Sequence, residues 1–114
     1  MDADVSWLQD MVEAAIETLS FIDGMERDAF EVDAKTLRAV ERNLSIIGEA
    51  ASQVSEECRQ GLPELPWRQI VGMRHLLVHR YFNVDTQHLW EVASTDLPVL
   101  ITAVESYLQS DSAG

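Results

Sequence analysis

The chain has 114 residues, 46% hydrophobic and 25% charged, with a formal net charge of −12. That size and balance suit one ordinary globular domain, and no apolar run approaches the roughly 20 residues that a membrane helix needs. So acidic a composition argues against a general nucleic-acid-binding protein, because phosphate backbones are captured by basic surfaces.

At the N-terminus, Asp2 and Asp4 stand where a secretory signal would carry a basic and then an apolar stretch, which argues against one. From Val5, apolar residues recur at Leu8, Val12, Ala15, Leu19 and Ile22, the spacing of an amphipathic helix. Asp4 is its expected N-cap and Asp23-Gly24 its stop. Asp33 is expected to cap a second helix, with Leu37, Val40, Leu44, Ile47, Ala51 and Val54 on one stripe, reaching to about Glu57. Gly48 within it permits close approach of another helix, at a cost near 1 kcal/mol against alanine. The lone cysteine, Cys58, excludes an internal disulfide and fits a reducing cytoplasm. It follows two glutamates and reads as inert rather than catalytic.

Gly61-Leu62-Pro63-Glu64-Leu65-Pro66 is a break, and Pro66 suits the first position of a third helix, from Trp67 to about Tyr81. Phe82-Asn83-Val84-Asp85 reads as a connecting loop, with Asp85 as the next cap. A fourth helix runs from Thr86 until Pro98 kinks or breaks it, and a short fifth segment continues to about Leu108. No segment alternates like a strand. The expected architecture is all-α: an up-and-down bundle of four to five helices in one domain, residues 1–108, followed by a polar tail, 109–114.

Charge is distributed unevenly: about −10 over residues 1–66, +3 over 67–83 and −5 over 84–114. Between Glu64 and Asp85 there is no carboxylate, yet the interval holds Arg68, Arg74, His75, His79 and Arg80. A cationic island in an acidic protein focuses potential at one place. Three chemistries compete for it. In a metal site, His75 and His79 at i, i+4 would face one ion, with Asp85 and His88 as further ligands. No glutamate lies between the two histidines, which excludes a zinc-protease helix, and the flanking arginines repel a divalent cation. In a structural reading, Arg74 pairs with a carboxylate on another helix and the histidines fill a semi-polar interface.

The third chemistry is acid–base catalysis on a phosphodiester. Arginine binds phosphate bidentately and stays charged, while histidine exchanges a proton near neutral pH. On an ideal helix Arg74 and His79 lie roughly 140° apart, whereas Arg74 and Tyr81 nearly eclipse each other. One undistorted helix would not aim Arg74 and His79 at the same atom. Either the helix distorts near His79, or two copies face each other and build a shared site.

Arg74-x4-His79-x-Tyr81 resembles the R-x4-H-x-Y motif of HepT-like toxins in the HEPN superfamily. Ile46-Ile47-Gly48-Glu49-Ala50 resembles that family's IGEA helix, and Pro66-Trp67, Ile70-Val71-Gly72-Met73-Arg74, Val78-His79-Arg80-Tyr81-Phe82 and Asp96-Leu97-Pro98 match as well. The resemblance spans roughly Leu37 to Leu108. It implies a HEPN-like helical homodimer acting in the cytoplasm as a metal-independent ribonuclease, with no cofactor, and as the toxin of a toxin–antitoxin pair. The partner it implies is a minimal nucleotidyltransferase antitoxin of the MntA type, which transfers AMP from ATP onto the motif tyrosine. Arg74 would then hold the scissile phosphate of an RNA, His79 would act as base or acid, and Tyr81 would be the hydroxyl that is modified. His75 and Arg80 would support contacts to phosphate. The rival reading is a non-catalytic helical module whose groove holds a nucleotide or a loop of the partner.

Overall fold

The computed structural model describes residues 3–75 and 85–113, and every regular element among them is helical. Helix α1, Ala3–Ile22, buries Leu8, Met11, Val12, Ala15, Thr18 and Ile22 on one face. It stops at Asp23-Gly24, where Gly24 takes φ +78°, a conformation that costs glycine nothing. Asp4 is not the N-cap expected for it: the residue lies inside the first turn, and its carboxylate reaches across the molecule. There Oδ1 accepts from the Ser55 N–H at 2.8 Å and Oδ2 from the Ser55 hydroxyl at 2.6 Å.

That contact explains a second departure. Helix α3, Ala34–Gln53, is capped as expected by Asp33, whose Oδ1 accepts from the Thr36 N–H at 3.1 Å. It ends before Glu57, because Val54 turns extended and Ser55 starts a new helix, α4, Glu56–Gln60. With its N–H held by Asp4, Ser55 uses its hydroxyl oxygen to accept from the Cys58 N–H and cap α4. A short helix α2, Arg27–Glu31, was not expected; it carries Phe30 into the core against Trp90, ring centroids 5.2 Å apart.

Helix α5, Trp67–Gly72, follows Pro66 directly and tightens into a 3-10 turn over Met73–His75. The rest of the expected third helix, to Tyr81, lies outside the described residues, as does the loop before Asp85. Asp85 caps α6, Thr86–Glu91, by accepting from the His88 N–H at 2.9 Å. Pro98 neither breaks nor ends the run. One wide π turn, Val92–Asp96, precedes it, and the Leu97 N–H reaches back five residues to the Val92 carbonyl. The proline ring crowds the carbonyl four residues earlier and supplies no N–H; widening the preceding turn absorbs both demands. Helix α7 then runs Leu97–Ala113, past the end expected near Leu108 and through residues expected to form a polar tail.

Helix α1 lies along α3 and against α7, while α5 and its 3-10 turn pack on α3. Leu8, Phe30, Leu44, Ile47, Leu97 and Leu100 form the centre of this all-α bundle, the fold class that the helical spacing of apolar residues predicts. None of the described helices is long and apolar enough to cross a membrane.

The approach of α5 to α3 is made at Gly48. A Cβ there would lie 2.5 Å from the Arg74 backbone nitrogen, 2.9 Å from the Val71 carbonyl oxygen and 3.0 Å from the Arg74 Cβ. The two backbones touch because residue 48 has no side chain. This is the close approach that the glycine signals in the sequence.

Two outcomes follow from this packing. Phe30→Ala is expected to cost about 3–5 kcal/mol in chemical denaturation, since the ring is fully buried, against near zero for exposed Asp28→Ala. Gly48→Ala is expected to lose stability by about 1–3 kcal/mol, although alanine is the better helix former by about 1 kcal/mol. The obstructing atoms are backbone and cannot swing aside, so the clash outweighs the propensity gain. A urea midpoint equal to or above that of the parent would show that the two helices can separate at no cost.

Candidate active site

Trp67 and Val71 lie one turn apart on α5, and Arg74 follows in the 3-10 turn, extending that line of residues toward Gly48. The far end of the line is the stretch seated on Gly48. The 3-10 turn begins at Met73, so backbone geometry changes one residue before the arginine. The Arg74 side chain leaves this contact toward the surface, where it is 35% exposed, and its Nη1 lies 3.5 Å from Glu49 Oε2. Its Nε is buried and makes no hydrogen bond.

These numbers define what the guanidinium can do. An ion pair at 3.5 Å whose carboxylate partner is 63% exposed contributes about 0–1 kcal/mol. It orients Arg74 without committing it. A phosphate offers two oxygens to the planar fork in charge-assisted bonds about twice as strong as neutral ones, and displaces a contact of that kind readily. The pair does match the structural expectation that Arg74 meets a carboxylate on another helix. It is too long and too wet to be a buried tie.

His75 stands next to Arg74, exposed, at the end of the 3-10 turn. The sequence therefore places two of its five candidate residues on described backbone. His79, Arg80 and Tyr81 lie outside the described residues. For the metal expectation, Asp85 is engaged in capping α6. His88 is exposed and lines a groove of about 410 Å³ with Gln69, Gly72, Met73, Val92 and Asp96. Gln69, Gly72 and Met73 bring this groove to the end of α5, but Arg74 is not among the residues that line it. Among the described residues no three His, Cys, Asp or Glu side chains converge as a metal site would require.

Glu49 has no role in the sequence reading beyond its place in the IGEA segment. The signal for it was present. A glycine in mid-helix marks a close approach, and the charged residue beside it is positioned to meet whatever arrives.

The family model described as "Ribonuclease HepT-like" matches residues 11–107. A Thermococcus cleftensis protein named "Probable ribonuclease HepT" is 38% identical over 96 residues, covering 81% of this chain and 87% of its own. "Putative RNase MJ1380" of Methanocaldococcus jannaschii is 35% identical over 101 residues, covering 88% and 92%. A third relative, "Putative RNase TTE0752" of Caldanaerobacter subterraneus subsp. tengcongensis, is 36% identical over 90 residues, covering 79% and 80%. No solved structure matches the chain. With the family match running from α1 to α7, through Gly48, Glu49 and Arg74, the chain belongs to the HepT-like ribonuclease family, and its enzyme class is ribonuclease.

Proposed function

We propose that the protein is a metal-independent endoribonuclease, the toxin of a toxin–antitoxin pair, and that Arg74 and His79 carry its chemistry. The observation that most supports this reading is the state of Arg74. Its backbone is held against Gly48, and its guanidinium is restrained only by a 3.5 Å contact to an exposed glutamate. A group fixed at its base and loosely held at its tip suits the binding of a mobile phosphodiester.

The reaction is in-line transesterification. A base removes the proton of the RNA 2′-hydroxyl, the 2′-oxygen attacks phosphorus, and the 5′-oxygen leaves with a proton from an acid. The products are a 2′,3′-cyclic phosphate and a 5′-hydroxyl. Arg74 neutralises charge building on the non-bridging oxygens, and His79 serves as base or acid. On an ideal helix these two residues would lie roughly 140° apart, and in this reading a homodimer completes the site with His79 of a second copy. His75 and Arg80 support contacts along the strand. Control rests on Tyr81: a nucleotidyltransferase antitoxin transfers AMP from ATP onto its hydroxyl, releasing pyrophosphate. The added phosphate then occupies the arginines that RNA needs.

Cleavage of a labelled RNA in excess EDTA tests the chemistry. Wild type is expected to cut and to leave the cyclic end, with Arg74→Ala and His79→Ala slower by about 10²-fold or more. Binding without cleavage would favour the non-catalytic module, and activity lost with EDTA and regained with zinc would favour the His75/His79 metal site.

Incubation with the partner enzyme and ATP, followed by mass spectrometry, tests the control. The AMP adduct is expected on Tyr81. The only other tyrosine, Tyr107, is half-buried with its hydroxyl 3.8 Å from Cys58 Sγ, and an adduct there would refute the assignment.

A further inference from the structure

Arg59 lies outside the cationic stretch of the sequence, among Glu56, Glu57 and Glu64. Folding moves it next to that stretch. The turn after α4 brings its guanidinium over the face of Trp67, with Cζ 5.5 Å from the ring centroid, while Nη2 donates to the Ala51 carbonyl at 2.9 Å. The indole is itself held in place, its Nε1 donating to the Leu62 carbonyl at 3.1 Å. Despite three nearby glutamates, no carboxylate closes on this arginine: among the described residues the ion pairs are Arg38 with Glu41 and Arg74 with Glu49. Buried side-chain nitrogens without a hydrogen-bond partner, again among the described residues, are Arg59 Nε and Arg74 Nε.

The two arginines share a buried, unpartnered Nε, and α5 lies between them. Trp67 opens α5 and Arg74 stands in the 3-10 turn that ends it, so the guanidinium on Trp67 and that of Arg74 belong to the two ends of one segment packed on α3. A cation stacked on an aromatic ring, in line with a second cation, is the surface that single-stranded nucleic acid tracks. The charges take phosphates and the rim of the ring takes a base.

We propose that Arg59, seated on Trp67, is a second phosphate-binding position for single-stranded RNA, so that the strand runs along the α3–α5 seam and longer strands are held better than short ones. The proposal rests on the ribonuclease reading and adds to it a direction for the substrate. Arginine suits the position because it stays charged beside the glutamates and stacks on indole while Nη2 anchors it to the Ala51 carbonyl. The surrounding acidity means that the contact acts at short range, through direct pairing, and not by long-range attraction.

Steady-state cleavage in EDTA, with an RNA of about 12 nucleotides and with a dinucleotide, tests this on the full chain. The variants are Arg59→Met, Arg59→Lys and the charge-matched control Arg38→Met, each with its thermal midpoint measured. Arg59→Met is expected to raise KM for the longer RNA about fivefold or more at nearly constant kcat, with a much smaller rise for the dinucleotide. The dependence of log KM on log salt should become shallower by about 0.7, the release expected for one single-strand phosphate contact. Arg59→Lys should recover most of the lost affinity, and Arg38→Met should match wild type. If Arg59→Met does not fold, Arg59→Gln carries the same test, as a neutral side chain that keeps a polar end.

The proposal is overturned if the Arg59 variant matches the Arg38 variant on both substrates. It is equally overturned if both substrates lose activity alike with a lowered midpoint, which would make Arg59 a cap on α3 alone. Should the wild type cleave no RNA, the ribonuclease reading fails separately. Titration of the longer RNA onto wild type and Arg59→Met then decides the second position by whether affinity falls.

Discussion

Everything at the candidate site depends on a contact between two backbones, that of α3 at Gly48 and that of the α5 end at Val71 and Arg74. Helices normally meet through side chains, which hold their axes 8–10 Å apart. Without a side chain at residue 48, the backbone of Arg74 comes down onto α3, and its Cβ starts from a fixed point. A long, flexible arginine loses much of its ability to wander when its base is immobilised. The reach of the guanidinium is then set by its own stem, with Glu49 as a light guide. In the proposed reaction, preorganisation of this sort would hold a charge at the scissile phosphate, so that little reorganisation is needed when the substrate arrives. The glycine itself is unfavourable inside a helix, so its presence is explained by what it lets the arginine do.

The second constraint is electrostatic. A net charge of −12 repels RNA at a distance, so affinity must come from a few positions where cations are left unpaired. Where a carboxylate is close, as Glu49 is to Arg74, the pairing is long and solvated, and Arg59 meets an aromatic face instead of an acid. Low capture at long range and direct pairing at short range give a nuclease that engages a strand only where several phosphates fit at once.

Much of this architecture was legible in the sequence, because it is written in local rules. Asp33 and Asp85 cap the helices that follow them, Asp23-Gly24 ends α1, and the apolar stripes mark the buried faces. The departures come from interactions between distant residues. Asp4 was spent on Ser55, 51 positions away, and that contact divided what the periodicity presented as one long helix. Helix α2 spans five residues, too few for a period to show, and exists because Phe30 has a place against Trp90. Pro98 looked like a break because the sequence does not reveal that the turn before it can widen. At the site, Arg74 stood out by its lack of acidic neighbours in the chain. Arg59 was hidden by Glu56 and Glu57, and only folding sets it on Trp67 without an ion pair to either.

The central claim is that the Arg74 guanidinium, and not merely a side chain of its size, carries the charge that the cleaved phosphate meets. Restoration of an Arg74→Ala variant by free guanidinium ion, in EDTA and at matched ionic strength, measures this most directly. The account predicts that cleavage by the variant rises in a saturable way with guanidinium and does not respond to sodium, while a His79→Ala variant gains nothing. Cleavage by Arg74→Ala at the wild-type rate with no added guanidinium would contradict it.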